Sequence, residues 1–369
     1  MSTPFAKHAA DPILLLAILG LTLFGFIMVA SASSVVAERF HRDHYFFFKH
    51  QLLFGGSFGL LAFLLGFFTP YRRWRLLALP GLVVSVVLLL LVFVPGLNIT
   101  YGAAARWISL GPVTVQPTEV AKLAIIIYLA ALLERKSGEV RDFLVGAVPF
   151  LVIMSIIVIL VALQPDIGTL FVITTIAGAM AFVAGFRLHH LLLFILGGAG
   201  LFIILLNTAH YRLARVIVYL HPELDPQGIG YQINQALLAV GTGGLLGLGF
   251  GRSRQKYFFL PEPAGDSIFA ILSEELGFIR TVAIIAVFLL IGLRGFSVAR
   301  NAPDAFGKLL AAGVTVWIVL QAFVNMGSVL GTTPLTGVPL PYISYGGSSL
   351  VMLLLASGIL LNVSKYTEK

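Results

Sequence analysis

The chain has 369 residues, 59% of them hydrophobic and only 11% Asp, Glu, Lys or Arg, with a mean hydropathy of +0.99. These values exclude an ordinary globular domain and put the chain among polytopic membrane proteins. A formal charge of +8 would suggest nucleic acid in a soluble protein. Here the cations have a home in cytoplasmic loops, so no nucleic-acid partner is expected. Cysteine is absent, which removes disulfides, thiol nucleophiles and Cys-based metal sites.

In chain order, apolar runs fall near 13–35, 46–68, 76–95, 118–133, 143–163, 167–186, 188–207, 267–293, 305–331 and 345–363. The first ends in Val29-Ala30-Ser31-Ala32, which imitates a signal-peptidase site, but it is longer than a signal h-region and reads as a span. The predicted architecture is an all-α polytopic membrane protein, one integral domain over 1–369, with about ten transmembrane helices of roughly 20 residues each. Cations are most frequent in the connections that hold Arg72, Arg73, Arg75, Arg135, Lys136, Arg141, Arg187, Arg294, Arg300 and Lys308, and on the tails. That bias predicts both termini inside. Four features then face outward: loop 96–117, the turn Gln164-Pro165-Asp166, a large extracytoplasmic loop near 208–266 between spans 7 and 8, and loop 332–344.

The large loop is not uniformly polar. Tyr231 to Val240 is amphipathic at helical spacing and a Gly-rich apolar run follows it, which suits a segment at the membrane interface or a loosely packed lid. Its glycines do not fit GxGxxG spacing, no GxxxxGK[ST] cradle occurs, and the chain has no visible way to use ATP. His residues show no HExxH or comparable metal-ligand spacing.

Four stretches carry polar chemistry. Glu119 and Lys122 lie three apart on one helix face inside an apolar span, where an unpaired charge costs about 3 kcal/mol or more. They are read either as a structural pair or as the lining of a polar cavity opening outward near Arg106 and Trp107. Pro165 ends one helix and Asp166 can cap the next. Pro339 to Ser349 leads a stiff proline segment into a Gly/Ser-rich helix start, which can receive an anion or allow close packing. Most pointed is Arg252 to Glu275, where Arg252, Arg254 and Lys256 precede Asp266 at the start of a span. One outward carboxylate with cations before it is the minimum equipment for a general base beside an anionic leaving group.

Five fragments together resemble one family, the SEDS proteins (shape, elongation, division and sporulation), which include FtsW, RodA and SpoVE. They are GAAARWISLGPVTVQPTEVAK (102–122), QPDIGT (164–169), GYQINQALLAVGTGGLLGLGFGRSRQKYFFLPE (230–262), DSIFAILSEELGF (266–278) and PLTGVPLPYISYGGSSL (334–350), in family order across most of the chain. Arg106-Trp107 and the SRQKYFFLPE wording look closer to FtsW and SpoVE than to RodA. Where family members commonly read LPE-x-His-Thr-Asp-Phe, this chain has Pro263, Ala264, Gly265, Asp266 and Ser267.

The resemblance implies a bacterial inner-membrane peptidoglycan glycosyltransferase that polymerises lipid II outside the cytoplasm, with Asp266 as the essential catalytic aspartate. The implied substrate- and pyrophosphate-binding set is Arg106, Glu119, Lys122, Arg215, Gln232, Arg252, Arg254, Lys256, Glu262, Ser344 and Ser348. A divalent cation, Mg2+ or Mn2+, is the one cofactor such a leaving group would call for. Implied partners are an FtsI-like class B penicillin-binding protein (a transpeptidase), other divisome or elongasome membrane proteins, and membrane lipids. Two rival readings are a lipid II flippase and a non-catalytic scaffold for the transpeptidase.

Overall fold

The structure is a computed structural model that describes residues 8–101, 104–111, 113–207, 218–219, 221, 225 and 228–367. Its long helices are α1 (Pro12–His41), α2 (Phe46–Phe68), α3 (Tyr71–Leu91), α4 (Pro117–Arg135), α5 (Phe143–Leu163), α6 (Ile167–Ala184) and α7 (Leu188–Asn207). After these come α8 (Ile229–Gly243), α9 (Ile268–Arg300), α10 (Ala305–Val329) and α11 (Gly347–Ser364). Eight of them are long and apolar enough to cross a membrane. The helices α4 and α7 stand where the sequence places the fourth and seventh spans.

Local chemistry sets the helix starts. Asp11 Oδ1 accepts from the N–H groups of Ile13 (3.0 Å) and Leu14 (3.1 Å), with Pro12 at the first helical position. Asp304 Oδ1 accepts from Gly307 N at 2.8 Å, and Asp166 Oδ1 from Thr169 N at 3.2 Å. Each satisfies orphan first-turn donors. The centre of the bundle is α10, 78% buried over its apolar window, whereas α2, α3 and α9 are 28% buried and turn most of their surface outward.

One end of the bundle gathers both termini. There Arg294 Nε donates to Asp11 Oδ2 at 2.8 Å and Asp11 N to Ser364 Oγ at 3.1 Å. Asn362 accepts from Tyr71 N at 2.8 Å and donates to Phe67 O at 2.7 Å, while Asp304 Oδ2 receives Tyr71 OH (2.7 Å) and Arg72 Nε (2.9 Å). Arg75 pairs with Glu134. In hydrocarbon the apolar faces gain little by meeting each other, so such interhelical ties carry a larger share of specificity than in water.

The opposite end differs from the sequence reading in two ways. Loop 96–117 contains a three-stranded antiparallel sheet, β1 (Asn98–Tyr101), β2 (Ala104–Leu110) and β3 (Val113–Val115), in the order β1-β2-β3. And α9 is broken: Gly277 sits at φ 77°, ψ 177°, dividing a buried stub beginning at Ile268 from the outward-facing remainder. The Gly-rich run after α8 packs its backbone into that break. Leu248 N donates to Glu274 O at 3.0 Å, Gly249 N to Glu275 O at 3.1 Å, and Phe278 N to Gly244 O at 2.8 Å. A Cβ on Gly277 would lie 2.2 Å from Gly247 N, and one on Gly247, itself at φ 83°, would lie 2.2 Å from Glu275 O. Only glycine on both sides permits this approach.

Candidate functional site

Asp266 ends a tight turn directly before the α9 stub. The carbonyl of Glu262 accepts from Gly265 N (3.1 Å) and Ser267 N (3.3 Å), closing the turn. Its backbone is then fixed from two sides. The Asn325 amide on α10 donates to Asp266 O and to Val338 O, both at 2.8 Å. Ser344 Oγ donates to Gly265 O at 2.9 Å and accepts from Leu340 N at 2.8 Å, and Tyr345 N donates to Ala264 O at 2.8 Å. The residues that depart from the family wording are thus held mainly by main-chain bonds, which other side chains at 264 and 265 could also make. Ser267 adds its own contact, accepting from Gln232 Nε2 at 3.3 Å.

The Asp266 side chain is half-buried and borders a cleft of about 510 Å³, including the space open to the outside. Gln232 and Ala236 of α8 form one wall, Ser328 and Val329 at the end of α10 a second, and Leu335 and Gly337 a third. Gly337 has φ 69°, and a Cβ there would lie 3.3 Å from Asp266 Oδ2 and 3.8 Å from Arg106 Nη1. The carboxylate and the guanidinium therefore border the same space. Arg106 reaches it from β2, with Nη2 donating to Pro165 O and Nη1 3.8 Å from Asp166 Oδ1.

Asp266, Arg106 and Gln232 are thus brought together around one opening, with Ser344 beneath as a backbone anchor and Glu262 supplying the turn carbonyl. Other members of the expected set sit elsewhere. Glu119 and Lys122 do not line an outward cavity: they pair at 2.7 Å, each 1% exposed. Lys122 Nζ also donates to Gln321 Oε1 at 2.7 Å and lies 5.0 Å from the Trp317 ring centroid. Pairing and burial are what the cost of charge in hydrocarbon demands. The pair acts at one remove, since Gln321 Nε2 donates to Pro339 O at 2.9 Å and so helps fix the loop that carries Gly337. Ser348 Oγ accepts from Gln116 N at 3.3 Å, and Gly346 N donates to Gln51 Oε1 at 3.2 Å. The Gly/Ser-rich start of α11 therefore serves close packing, and these two groups are already engaged by protein.

Lys256 is also turned inward. It is 3% exposed, and its Nζ donates to Gly251 O at 2.7 Å and to Glu275 Oε1 at 3.2 Å, beside Ser31 of α1. The neighbouring carboxylates organise the same loop. Glu275 accepts from Ser31 Oγ at 2.7 Å and Ser253 N at 3.3 Å. Glu274 accepts from Ser253 Oγ, from Arg254 N at 3.0 Å and from Gln255 N at 3.3 Å. Arg252 and Arg254 remain exposed. Arg215 lies outside the described residues.

Sequence reasoning missed Asn325, Gln321 and Gly337, and it gave Asp166 only a capping role. Gln321 and Asn325 are four apart within an apolar span, so a search for polar residues at helical spacing would have found them.

The full-length pattern of the chain matches the family described as cell cycle protein, FtsW/RodA/SpoVE, over residues 12–369. It is 43% identical over 362 residues to stage V sporulation protein E of Bacillus subtilis, covering 98% of this chain and 99% of that protein. It is 42% identical over 354 residues to a probable peptidoglycan glycosyltransferase FtsW of Geobacter metallireducens, covering 96% and 94%. Among solved structures, one concerning polymerization and crosslinking by a peptidoglycan synthase complex contains a chain that superposes with a TM-score of 0.80 at 29% identity, covering 96% of this chain and 98% of that one. The rod shape determining protein RodA of Thermus thermophilus gives 0.70 at 28% identity, covering 98% and 99%. Sequence, fold and the order of the motifs agree: the chain is a multi-pass membrane protein and belongs to the FtsW/RodA/SpoVE family.

Proposed function

We propose that the chain is a peptidoglycan glycosyltransferase that polymerises lipid II, with Asp266 as general base. The observation that carries this is the Asp266 carboxylate at the edge of an open cleft, on a backbone clamped by Asn325 and Ser344. Names of relatives at about 40% identity support the same chemistry. Asp266 takes the proton from the acceptor GlcNAc 4-hydroxyl as its oxygen forms a bond to the anomeric carbon of the donor MurNAc. The bond from that carbon to the phosphate oxygen breaks on the opposite face, its electron pair leaving with undecaprenyl diphosphate, and the α-linkage becomes β-1,4. An ionised carboxylate within hydrogen-bond reach of that hydroxyl can accept its proton. The diphosphate leaving group brings its own driving force, so no nucleotide is consumed.

Among the described residues Arg106 is the cation best placed to receive the departing charge, and the exposed Arg252 and Arg254 can draw the anionic substrate toward the cleft. The described residues gather no group of three His, Asp or Glu side chains; a Mg2+ or Mn2+ arriving with the diphosphate would need only one or two carboxylates, and no step is routed through one. Ten spans with both termini inside would put the cleft on the extracytoplasmic face of the inner membrane. A class B penicillin-binding protein is the fitting partner, because the glycan made here is the substrate of crosslinking. The higher likeness to FtsW and SpoVE supports a role in division or sporulation.

The test is polymerisation of lipid II by purified protein in detergent micelles, where transport across a membrane cannot mimic product. Asp266→Asn should remove glycan product while leaving the folded protein intact. Full activity in that variant would remove Asp266 as base, and no product from the wild type with its transpeptidase present would favour the scaffold reading.

A further inference from the structure

Asp166 is more than a helix cap by its own geometry. It is 1% exposed, caps α6 through Oδ1 to Thr169 N at 3.2 Å, and has no hydrogen-bond donor at Oδ2 among the described residues. Asn, Ser or Thr would cap equally well without burying a charge, and a buried carboxylate is retained at a cost unless a cation answers it. The answering cation is Arg106, whose Nη1 lies 3.8 Å from Asp166 Oδ1 and whose Nη2 donates to the carbonyl of the preceding Pro165. Two consecutive residues of one turn therefore grip a single guanidinium.

That turn is itself fixed to the cleft. A Cβ on Gly168 would lie 2.4 Å from Thr336 O, so the first turn of α6 abuts the strip that carries Gly337. Across Gly337, Arg106 Nη1 faces the space that Asp266 Oδ2 also borders. Arg106 still has donors to give: its Nη1 faces the gap at Gly337, and a guanidinium carries five N–H groups in a fixed fork that matches phosphate.

We propose that Asp166 is a positioning residue that acts through Arg106, holding the guanidinium over the gap at Gly337 so that it meets the departing phosphate opposite the Asp266 base. The assignment rests on the transferase reading above. It divides the labour at the site: Arg106 touches the leaving group, Asp166 sets where Arg106 points, and Gly337 keeps the space between guanidinium and carboxylate clear.

The experiment is a double-mutant cycle on the full-length protein in detergent, with lipid II as substrate: wild type, Asp166→Asn, Arg106→Gln and the double variant. Asparagine keeps the cap and removes the charge, so Asp166→Asn should unfold at the wild-type temperature. Its kcat should fall about 100-fold with little change in KM, as expected when a catalytic group is misplaced rather than substrate binding lost. The double variant should be no slower than Arg106→Gln alone, because the two residues act as one unit. Asp166→Glu, which keeps the charge, should recover part of the loss. Full turnover in Asp166→Asn, losses that multiply in the double variant, or a lowered unfolding temperature in Asp166→Asn would each overturn the assignment. The last would make Asp166 architectural. Failure of the wild type itself to make glycan would strike the transferase reading instead.

Discussion

Lys256 is the residue at which charge count and charge display part company. In the sequence it is the third cation of a basic run before Asp266 and looks available to an anionic substrate. In the structure it is buried against Glu275, and only Arg252 and Arg254 of that run remain exposed. Removing one partner of a buried pair leaves the other charge uncompensated, which costs about 3–5 kcal/mol. Lys256→Met should therefore lower the unfolding temperature and the yield of folded protein in detergent, and Lys256→Met with Glu275→Gln, which removes the charge and keeps an acceptor for Ser31 and Ser253, should recover much of the loss. A Lys256→Met protein of unchanged stability and reduced turnover would return Lys256 to the substrate. Asp266 was legible because three cations precede it at the start of an apolar run and the resemblance puts the family's essential aspartate there. Asn325 was not, because an amide inside a span carries no formal charge and its two acceptors are main-chain carbonyls far away in sequence.

Among the elements, α8 was legible from its amphipathic spacing and the long helices from the length of their apolar runs, since many residues vote on each. The sheet β1–β3 was not: its strands are three to seven residues long, too short for alternation to stand out beside Gly111 and Pro112. The break in α9 was hidden for a different reason. Gly277 lies in a helical pattern that reads continuously, and its φ of 77° is imposed by the backbone of the 244–249 run packed against it. Alanine at 277 would meet Gly247 N at 2.2 Å and occupy a backbone region disfavoured by about 1–3 kcal/mol. Gly277→Ala should lower thermal stability and speed tryptic cleavage after the exposed Arg252 and Arg254 as the loop detaches. Cleavage at the wild-type rate would show that the loop is held by the glutamates alone.

For the whole molecule, the number and order of apolar runs were enough to give a polytopic bundle with both termini at one end, and the ties among Asp11, Arg294 and Ser364 place them there. The sidedness expected from cation bias can be checked directly because the chain has no cysteine. In intact cells or spheroplasts, a membrane-impermeant thiol reagent should label Arg254→Cys from outside and Arg141→Cys only after permeabilisation, both positions being exposed. The reverse pattern would put the cleft on the cytoplasmic side and end the transferase reading. The division of α9 has a mechanical meaning at this scale. A span adjusts to a thicker or thinner hydrocarbon layer by tilting. Here the Gly-rich run grips both sides of the break, Gly249 N bonding Glu275 O before it and Phe278 N bonding Gly244 O after it, and Asp266 stands just ahead of the stub, tied to α10. A tilt of the long part is thus passed on to the cleft, and turnover should change across lipids of different acyl length.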